Sequence, residues 1–100
     1  MAIVVRIPVP LRRLVGGQRE AVVVGASSIA ELIEGLDEAY PGMKSRLCDA
    51  GGGLLPFVNL YVAGEDIRLR EGLATVLRDG DVVVIVPAVS GGRVQPLESR

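Results

Sequence analysis

Residues Asp81–Gly92 read Asp-Val-Val-Val-Ile-Val-Pro-Ala-Val-Ser-Gly-Gly, and the remainder of this 100-residue chain is organised around them. The segment begins as an apolar β-strand, stops at Pro87 and ends in two glycines. We expect the strand to be anchored in a core and the residues after it to form a thin arm. Gly92 lies six residues beyond Val86, so the arm reaches roughly 20 Å at about 3.4 Å per residue. An arm of this shape can enter a narrow active site of another protein.

This segment also predicts the domain organisation. Residues 1–89 are expected to form one small domain, and residues 90–92 a mobile Gly-Gly arm. Residues 93–100 are polar, contain Pro96 and lack periodicity, so they are predicted to be a disordered extension.

Composition limits the classes of function that the chain can have. Hydrophobic residues make up 49% and aromatic residues 3%, with a net charge of −1, so the core must be aliphatic. Nucleic-acid binding needs a basic stripe or stacking platforms, and neither is predicted. Four arginines bias the first twenty residues towards positive charge, and they are interpreted as a solvated edge: Arg6, Arg12, Arg13 and Arg19.

The chain contains no histidine and one cysteine, Cys48. A Ser-His-Asp triad, a Cys-His pair, an imidazole metal site and an internal disulfide are therefore excluded. Cys48 is predicted to be a half-buried small apolar residue, and the chain is predicted to be neither an enzyme nor a metal binder. It shows no signal peptide and no apolar run long enough to span a bilayer. We expect a soluble, cytoplasmic protein.

The first part of the chain predicts a hairpin and a helix. Ala2–Ile7 and Gln18–Val24 are rich in β-branched residues and flank the turn dipeptide Gly16-Gly17. Ser28 and Glu31 have the spacing of a capping box at the start of a helix. That helix carries one apolar stripe, which is expected to pack on a sheet: Ile29, Leu32, Ile33 and Leu36.

The second part predicts further strands. Pro56–Val62 alternates clearly, Ile67–Leu69 reads as a short strand, and Val82–Val86 is apolar on both faces. Because one helix covers only one face of a sheet, the other face is a candidate docking surface. The residues predicted for it are Phe57, Tyr61, Val82, Val84 and Val86. Four carboxylates could suggest acid–base chemistry, but they lie in turn dipeptides and are interpreted as turn residues: Glu65, Asp66, Asp79 and Asp81.

This order of elements favours an α+β fold of the β-grasp (ubiquitin-like) type. We predict a mixed sheet of four to five strands, with one main helix packed on one face. The last strand is expected to insert centrally beside the first, because that arrangement buries the helix stripe and satisfies crossover handedness.

Several motifs carry a resemblance to a known family. They are Ile7-Pro8 with Leu11, Gly16-Gly17-Gln18, Tyr40-Pro41-Gly42, Arg46-Leu47, Phe57-Val58-Asn59-Leu60-Tyr61-Val62, Glu65-Asp66-Ile67-Arg68, Gly72-Leu73-Ala74-Thr75, Asp79-Gly80-Asp81 and Pro87-Ala88-Val89-Ser90-Gly91-Gly92. In this order they resemble the CysO-type sulfur carriers, a branch of the MoaD/ThiS superfamily of prokaryotic ubiquitin-like proteins. The resemblance extends from Ile3 to Gly92.

The resemblance implies a substrate rather than a catalyst. An E1-like enzyme would adenylate the carboxylate of Gly92 with ATP, and the adenylate would become a thiocarboxylate. In the CysO branch the sulfur passes to a PLP-dependent cysteine synthase, and a JAMM-type metalloprotease releases the cysteine. The carrier itself would bind no cofactor, no nucleic acid and no membrane. Gly91 would keep the arm narrow, and the stem would be Pro87, Ala88, Val89 and Ser90.

The chain departs from this pattern because eight residues, Arg93–Arg100, follow Gly92. An amide at Gly92 cannot be adenylated. The extension is either a segment that a protease removes, a cloning remnant, or a sign that carrier function has been lost. The alternative functions are a non-conjugating β-grasp interaction module, a carrier for another acceptor such as molybdopterin or a natural product, and conjugation to lysines.

Overall fold

The computed structural model describes residues 1–87, which form a five-stranded mixed sheet with helices packed on one face. The strands are β1 (Ala2–Arg6), β2 (Glu20–Val24), β3 (Val58–Val62), β4 (Glu65–Asp66) and β5 (Val82–Pro87). The α-helices are α1 (Ile29–Ala39) and α2 (Met43–Leu47), and three 3-10 segments span Val9–Val15, Ile67–Leu69 and Gly72–Ala74. The domain boundaries predicted after residues 89 and 92, and the predicted disorder of residues 93–100, lie outside the described residues.

The strands lie in the order β2-β1-β5-β3-β4. β1 pairs antiparallel with β2, and β5 runs parallel to β1 and antiparallel to β3. The last strand is therefore inserted beside the first, as the sequence predicts. Parallel neighbours need a crossover connection, which here contains α1. The predicted β-grasp fold is confirmed.

The core is a single aliphatic layer between α1 and the sheet. All four residues of the predicted helix stripe are buried, and β3 buries alternate residues along its length. None of the buried hydrophobic residues within residues 1–87 is aromatic. They are isoleucines, valines and leucines, together with Ala21, Ala26, Met43 and Cys48. Cys48 is more deeply buried than predicted. No helix within residues 1–87 is long and apolar enough to cross a membrane.

The start of α1 differs from the predicted capping box in one contact. The Ser28 hydroxyl accepts a hydrogen bond from the Glu31 main-chain N–H at 3.2 Å. The Glu31 carboxylate reaches back one residue further than expected, and accepts from the N–H and the hydroxyl of Ser27, each at 2.8 Å. The hydrogen bond from the Ser27 main chain is the largest cause of a lowered pKa at Glu31. Two serines and one glutamate thus fix the first turn of the helix.

Val9–Val15 is a 3-10 helix, and so is Ile67–Leu69, for which the sequence predicts a short strand. Pro10 favours helical φ near the start of Val9–Val15, and Gly16 ends that helix in the left-handed conformation at φ 69°. The short strand is Glu65–Asp66 rather than Ile67–Leu69, because the Asp66 carboxylate accepts from the Arg68 N–H at 2.8 Å and turns the chain.

The turn interpretation is wrong for Glu65, which lies in β4 with its carboxylate 3.5 Å from Arg70 Nε. The carboxylates of Asp79 and Asp81 bind main-chain N–H groups, as the interpretation predicts. Asp79 accepts from the N–H of Ala2 at 2.8 Å, and Asp81 accepts from that of Arg78 at 2.8 Å. The first of these bonds ties the turn before β5 to the start of β1. These side chains therefore position the central strand pair.

Helix α1 packs closely against β2 at Gly35. A Cβ atom at this position would lie 2.8 Å from Cγ1 of Val23, closer than side-chain carbons normally approach. Alanine usually stabilises a helix interior relative to glycine by roughly 0.8–1 kcal/mol. Here the Cβ must instead displace the β-branched Val23 side chain, which has little rotamer freedom.

We therefore predict that Gly35→Ala destabilises the protein, by about 1 kcal/mol or more, despite its helix propensity. Urea unfolding followed by circular dichroism measures the change. Adding Val23→Ala to Gly35→Ala removes the clash, so the double variant should lose less stability than the two single losses summed. A Gly35→Ala protein as stable as the parent would contradict the close approach.

Candidate functional site

The candidate site is built on β5, which lies between two other strands in the interior of the sheet. Val83 and Ile85 point towards α1 and are 0% and 4% exposed. Val82, Val84 and Val86 alternate with them and face the opposite side. The alternation of the pleat therefore settles which valines face outward, a question that the apolar sequence of β5 leaves open.

The outward side, which we call the open face, carries an aliphatic centre with a polar surround. One row across the sheet runs Glu20, Arg6, Val84, Tyr61 and Asp66. The next row towards the start of β5 holds Val22, Val4 and Val82. No described helix covers this side, since Val22, Val82 and Val86 are exposed. The open face thus has the character predicted for a docking surface.

Two arginines of the N-terminal segment have partners nearby, and one of them, Arg6, lies on the open face. Arg6 Nε lies 3.5 Å from a carboxylate oxygen of Glu20, and both side chains are more than half exposed. An exposed pair of this kind contributes little stability, on the order of 0–1 kcal/mol. Arg12 donates through Nε to the Ile7 carbonyl at 3.0 Å. Both arginines have local partners, which agrees with the interpretation of the basic N-terminal segment as a solvated edge.

Asn59 and Arg68 belong to the same face, and sequence reasoning did not single them out. Asn59 lies opposite Val86 on the neighbouring strand. Its side-chain oxygen accepts from Arg68 Nη1 at 2.5 Å, while Arg68 Nη2 donates to the Leu55 carbonyl at 2.9 Å. Asn59 stands out in the sequence as a polar residue within the largely apolar β3. The sequence does not indicate its partner, because Arg68 lies nine residues further along the chain, beyond a turn.

Phe57 is placed differently from the other predicted docking residues. It lies in a turn just before β3 and is exposed. Together with Pro87 it lines a groove of about 360 Å³ where the described part of β5 ends. Leu11, Arg46 and Ile85 also line this arm-root groove. The structure therefore brings Tyr61, Val82, Val84 and Val86 together and puts Phe57 beside the root of the arm.

Of the predicted arm, Pro87 is described, and it pairs with Val58. Ala88, Val89, Ser90, Gly91 and Gly92 lie outside the described residues, so their predicted roles stay predictions. The groove and the last valine of the open face, Val86, flank the point where the chain leaves the sheet. A protein that handles the C-terminal residues would meet these surfaces first.

Catalytic groups are scarce in the described part of the chain. Within residues 1–87, no three His, Cys, Asp or Glu side chains are grouped so that they could hold a metal ion. Cys48 is buried, and this burial raises the pKa of its thiol. A thiol of this kind is a poor nucleophile at neutral pH. Cys48 is therefore a structural residue.

The chain matches the family model described as "ThiS family" over residues 5–92. It belongs to the ThiS family. Its sequence is 44% identical to the sulfur carrier protein CysO of Mycobacterium tuberculosis, in an alignment that covers 92% of this chain and all of that protein. The resemblance predicted from the sequence motifs is confirmed.

Two solved structures support the same assignment. A chain of the BexX/CysO complex of Amycolatopsis orientalis superimposes with a TM-score of 0.84 at 36% identity, covering 90% of this chain and 99% of that one. The Mycobacterium tuberculosis CysO crystal structure superimposes with a TM-score of 0.82 at 42% identity, covering 87% and 99% respectively. The first of these relatives was crystallised with another protein.

Membership of the ThiS family has two consequences for the site. The relatives are small carrier proteins rather than enzymes, so the prediction that this chain is not an enzyme is confirmed. The family match also includes the predicted arm, up to and including Gly91 and Gly92, and it ends at Gly92. The eight residues that follow, Arg93–Arg100, lie beyond it.

Proposed function

We propose that this ThiS-family protein is a sulfur carrier whose Gly92 becomes a thiocarboxylate after residues 93–100 have been removed. The observation that carries the proposal is the end of the family match at Gly92, five residues beyond the central strand that ends at Pro87. The 44% identity to a sulfur carrier over nearly the whole chain supports the same role.

The proposed conversion of Gly92 to a thiocarboxylate takes three steps. Water first cleaves the amide between Gly92 and Arg93, which leaves a carboxylate at Gly92 and a free amine on the released peptide. A carboxylate oxygen then attacks the α-phosphorus of ATP and displaces pyrophosphate. Hydrosulfide supplied by the activating system finally attacks the carbonyl carbon of Gly92. The new C–S bond replaces the C–O bond to AMP, which leaves, and loss of the sulfur proton gives the thiocarboxylate. The adenylate is required because a carboxylate resists attack until its oxygen becomes a good leaving group.

The fold suits a substrate that must be held while its end is processed. β5 is hydrogen-bonded on both edges, so the root of the arm is fixed to the core of the domain. Five residues from Pro87 to Gly92 span roughly 17 Å when extended. Two glycines at the tip have no side chains to obstruct a narrow active site. Activation would thus occur well away from the folded domain.

We assign the open face to the docking of the E1-like activating enzyme. The valines of β5 and Tyr61 form its centre, and their side chains lose little conformational entropy on docking. The complex of a related CysO with BexX supports the idea that carriers of this shape bind partner proteins. The receiving enzyme proposed is a PLP-dependent cysteine synthase, followed by a JAMM-type metalloprotease, as the CysO resemblance implies.

The proposed function makes two predictions, and the first of these two concerns the chain end. A chain ending at Gly92 should support ATP–pyrophosphate exchange by its activating enzyme, whereas the chain ending at Arg100 should support none. The reason is that only the shorter chain has a carboxylate at Gly92. Exchange of radiolabelled pyrophosphate into ATP measures the step directly.

A chain ending at Gly92 that carries Gly91→Val is the matched control. It retains the carboxylate but widens the arm, so exchange should fall strongly while the stability of the domain is unchanged. Equal exchange by the Gly92 and Arg100 chains would contradict the proposal and favour an interaction module that does not depend on the chain end.

The second prediction concerns the open face. In the chain ending at Gly92, Val86→Glu should lower kcat/KM for adenylation roughly tenfold or more, because a charge would be buried at the centre of the contact. Val76→Glu is the control, since Val76 is 57% exposed in a loop outside the sheet, against 37% for Val86. If kcat/KM fell equally in both variants, or fell in neither, the open face would not be the docking site.

A further inference from the structure

The two edges of the sheet are protected to different degrees. At one edge β4 has only two residues, which is too short to template another strand. At the other edge β2 has five residues. Its outer valines are strongly exposed, Val22 at 59% and Val24 at 77%. Long, exposed, aliphatic edges of this kind invite pairing with another strand.

The register shows which main-chain groups of β2 are free. The Ile7 N–H donates to the Arg19 carbonyl, and the Gly25 N–H donates to the Met1 carbonyl. Bonded and non-bonded pairs alternate in an antiparallel ladder, so odd-numbered residues of β2 bond to β1. The N–H and C=O groups of the even-numbered residues point away from the sheet: Glu20, Val22 and Val24. No loop or turn main-chain group within residues 1–87 bonds to them.

A groove of about 600 Å³ runs beside this edge, between the end of β2 and α1. On the helix side it is lined by four carboxylates, and no lysine or arginine lines it. They are Glu31, Glu34, Asp37 and Glu38. The groove is therefore negatively charged, and a strand paired with β2 would direct alternate side chains into it.

Three of these carboxylates already have partners. Glu31 accepts from Ser27, Glu34 pairs with Lys44, and Asp37 accepts from the N–H groups of Gly42 and Lys44. A carboxylate has several acceptor positions, so these contacts leave the groove acidic. Glu38 is exposed on the same helix, and the hydrogen bonds of the described chain do not engage its side chain.

We propose that the β2 edge and this acidic groove bind an extended segment of a partner protein, in which basic and aliphatic residues alternate. The segment adds to β2 as a sixth strand. Its main chain bonds to Val22 and Val24, its aliphatic side chains continue the open face, and its lysines or arginines enter the groove beside α1.

Charge argues against a second copy of this chain as the occupant. Antiparallel pairing of two β2 edges about a two-fold axis places both α1 helices on the same side of the joined sheet, next to each other. The acidic side chains of one copy would then face those of the other, which is destabilising. A basic segment meets the same surface with favourable charge complementarity.

The location makes this site independent of the chain end. The groove lies at the Val23–Ala26 end of β2. Val24 pairs with Ala2, at the end of β1 remote from the pairing of Arg6 with Val84. Since β5 runs parallel to β1, its exit at Pro87 lies towards the opposite end of the sheet. A partner on β2 would leave the C-terminal segment free for the chemistry proposed above.

The test uses the full chain, labelled with nitrogen-15, and a capped peptide of alternating valine and arginine of about seven residues, the length of one strand. We expect the peptide to shift the amide resonances of β2 and α1 and to bind more weakly at higher salt. A peptide of alternating valine and glutamate should not bind. Equal binding of both peptides, or shifts confined to the Val82–Val86 strand, would overturn the proposal.

Two variants, each with its own control, separate the contributions of the main chain and of charge to peptide binding. Val22→Pro removes an outward N–H that takes no part in the ladder with β1, and should weaken peptide binding roughly tenfold. Val22→Thr retains that N–H and should bind almost like the parent. The double variant Glu34→Gln/Glu38→Gln should weaken binding roughly threefold or more, whereas Glu71→Gln, outside the groove, should not.

Circular dichroism checks whether each variant is folded, and the glutamine variants keep the proposal testable if Val22→Pro does not fold. Unchanged binding by the folded variants would overturn it, as would a dimer that forms through β2 in sedimentation experiments. None of these variants alters Gly92. The peptide experiment and the pyrophosphate exchange experiment can therefore fail independently, and each tests its own proposal.

Discussion

The structure depends on the burial of β5 between β1 and β3. This strand is hydrogen-bonded on both edges and sends Val83 and Ile85 into the core under α1. A chain of this size has only a modest core, so the loss of a central strand would remove a large part of the buried apolar surface. Because β5 is paired with a strand on each side, the residues after Pro87 start from a fixed point.

The same strand explains why one face of the sheet is apolar without being covered. Its inward valine and isoleucine are required for the core, whereas its outward valines are not. Helix α1 occupies one side only, and the described chain provides no second layer. Leaving aliphatic side chains exposed in this way is typical of a surface that another protein covers. β5 therefore connects the open face directly to Pro87, where the described part of the chain ends.

Most of the fold could be predicted because its strongest patterns are local. The helix stripe from Ile29 to Leu36 has a period that only a helix satisfies, and Val58, Leu60 and Val62 alternate as a strand does. The central position of β5 followed from the need to bury that stripe. By contrast, Val9–Val15 and Ile67–Leu69 form 3-10 helices through caps and single side-chain contacts, which leave little trace in a pattern of hydrophobic residues.

The candidate site could be predicted only in part, for a physical reason. An all-apolar strand does not reveal which of its faces is outside, so Val84 and Val86 could be named but not oriented. The turn that places Phe57 beside Pro87, and the contact between Asn59 and Arg68, depend on residues brought together by tertiary structure. The acidic groove beside β2 combines a strand edge with one side of a helix, and the separate sequence segments give no sign of it.

The central claim is that the protein works as a sulfur carrier ending at Gly92, and the intact mass of the protein isolated from its own cells tests it most directly. The account predicts a species that ends at Gly92, with a fraction in which sulfur replaces one carboxylate oxygen. A single species that ends at Arg100, from cells with an active E1-like enzyme and protease, would contradict it.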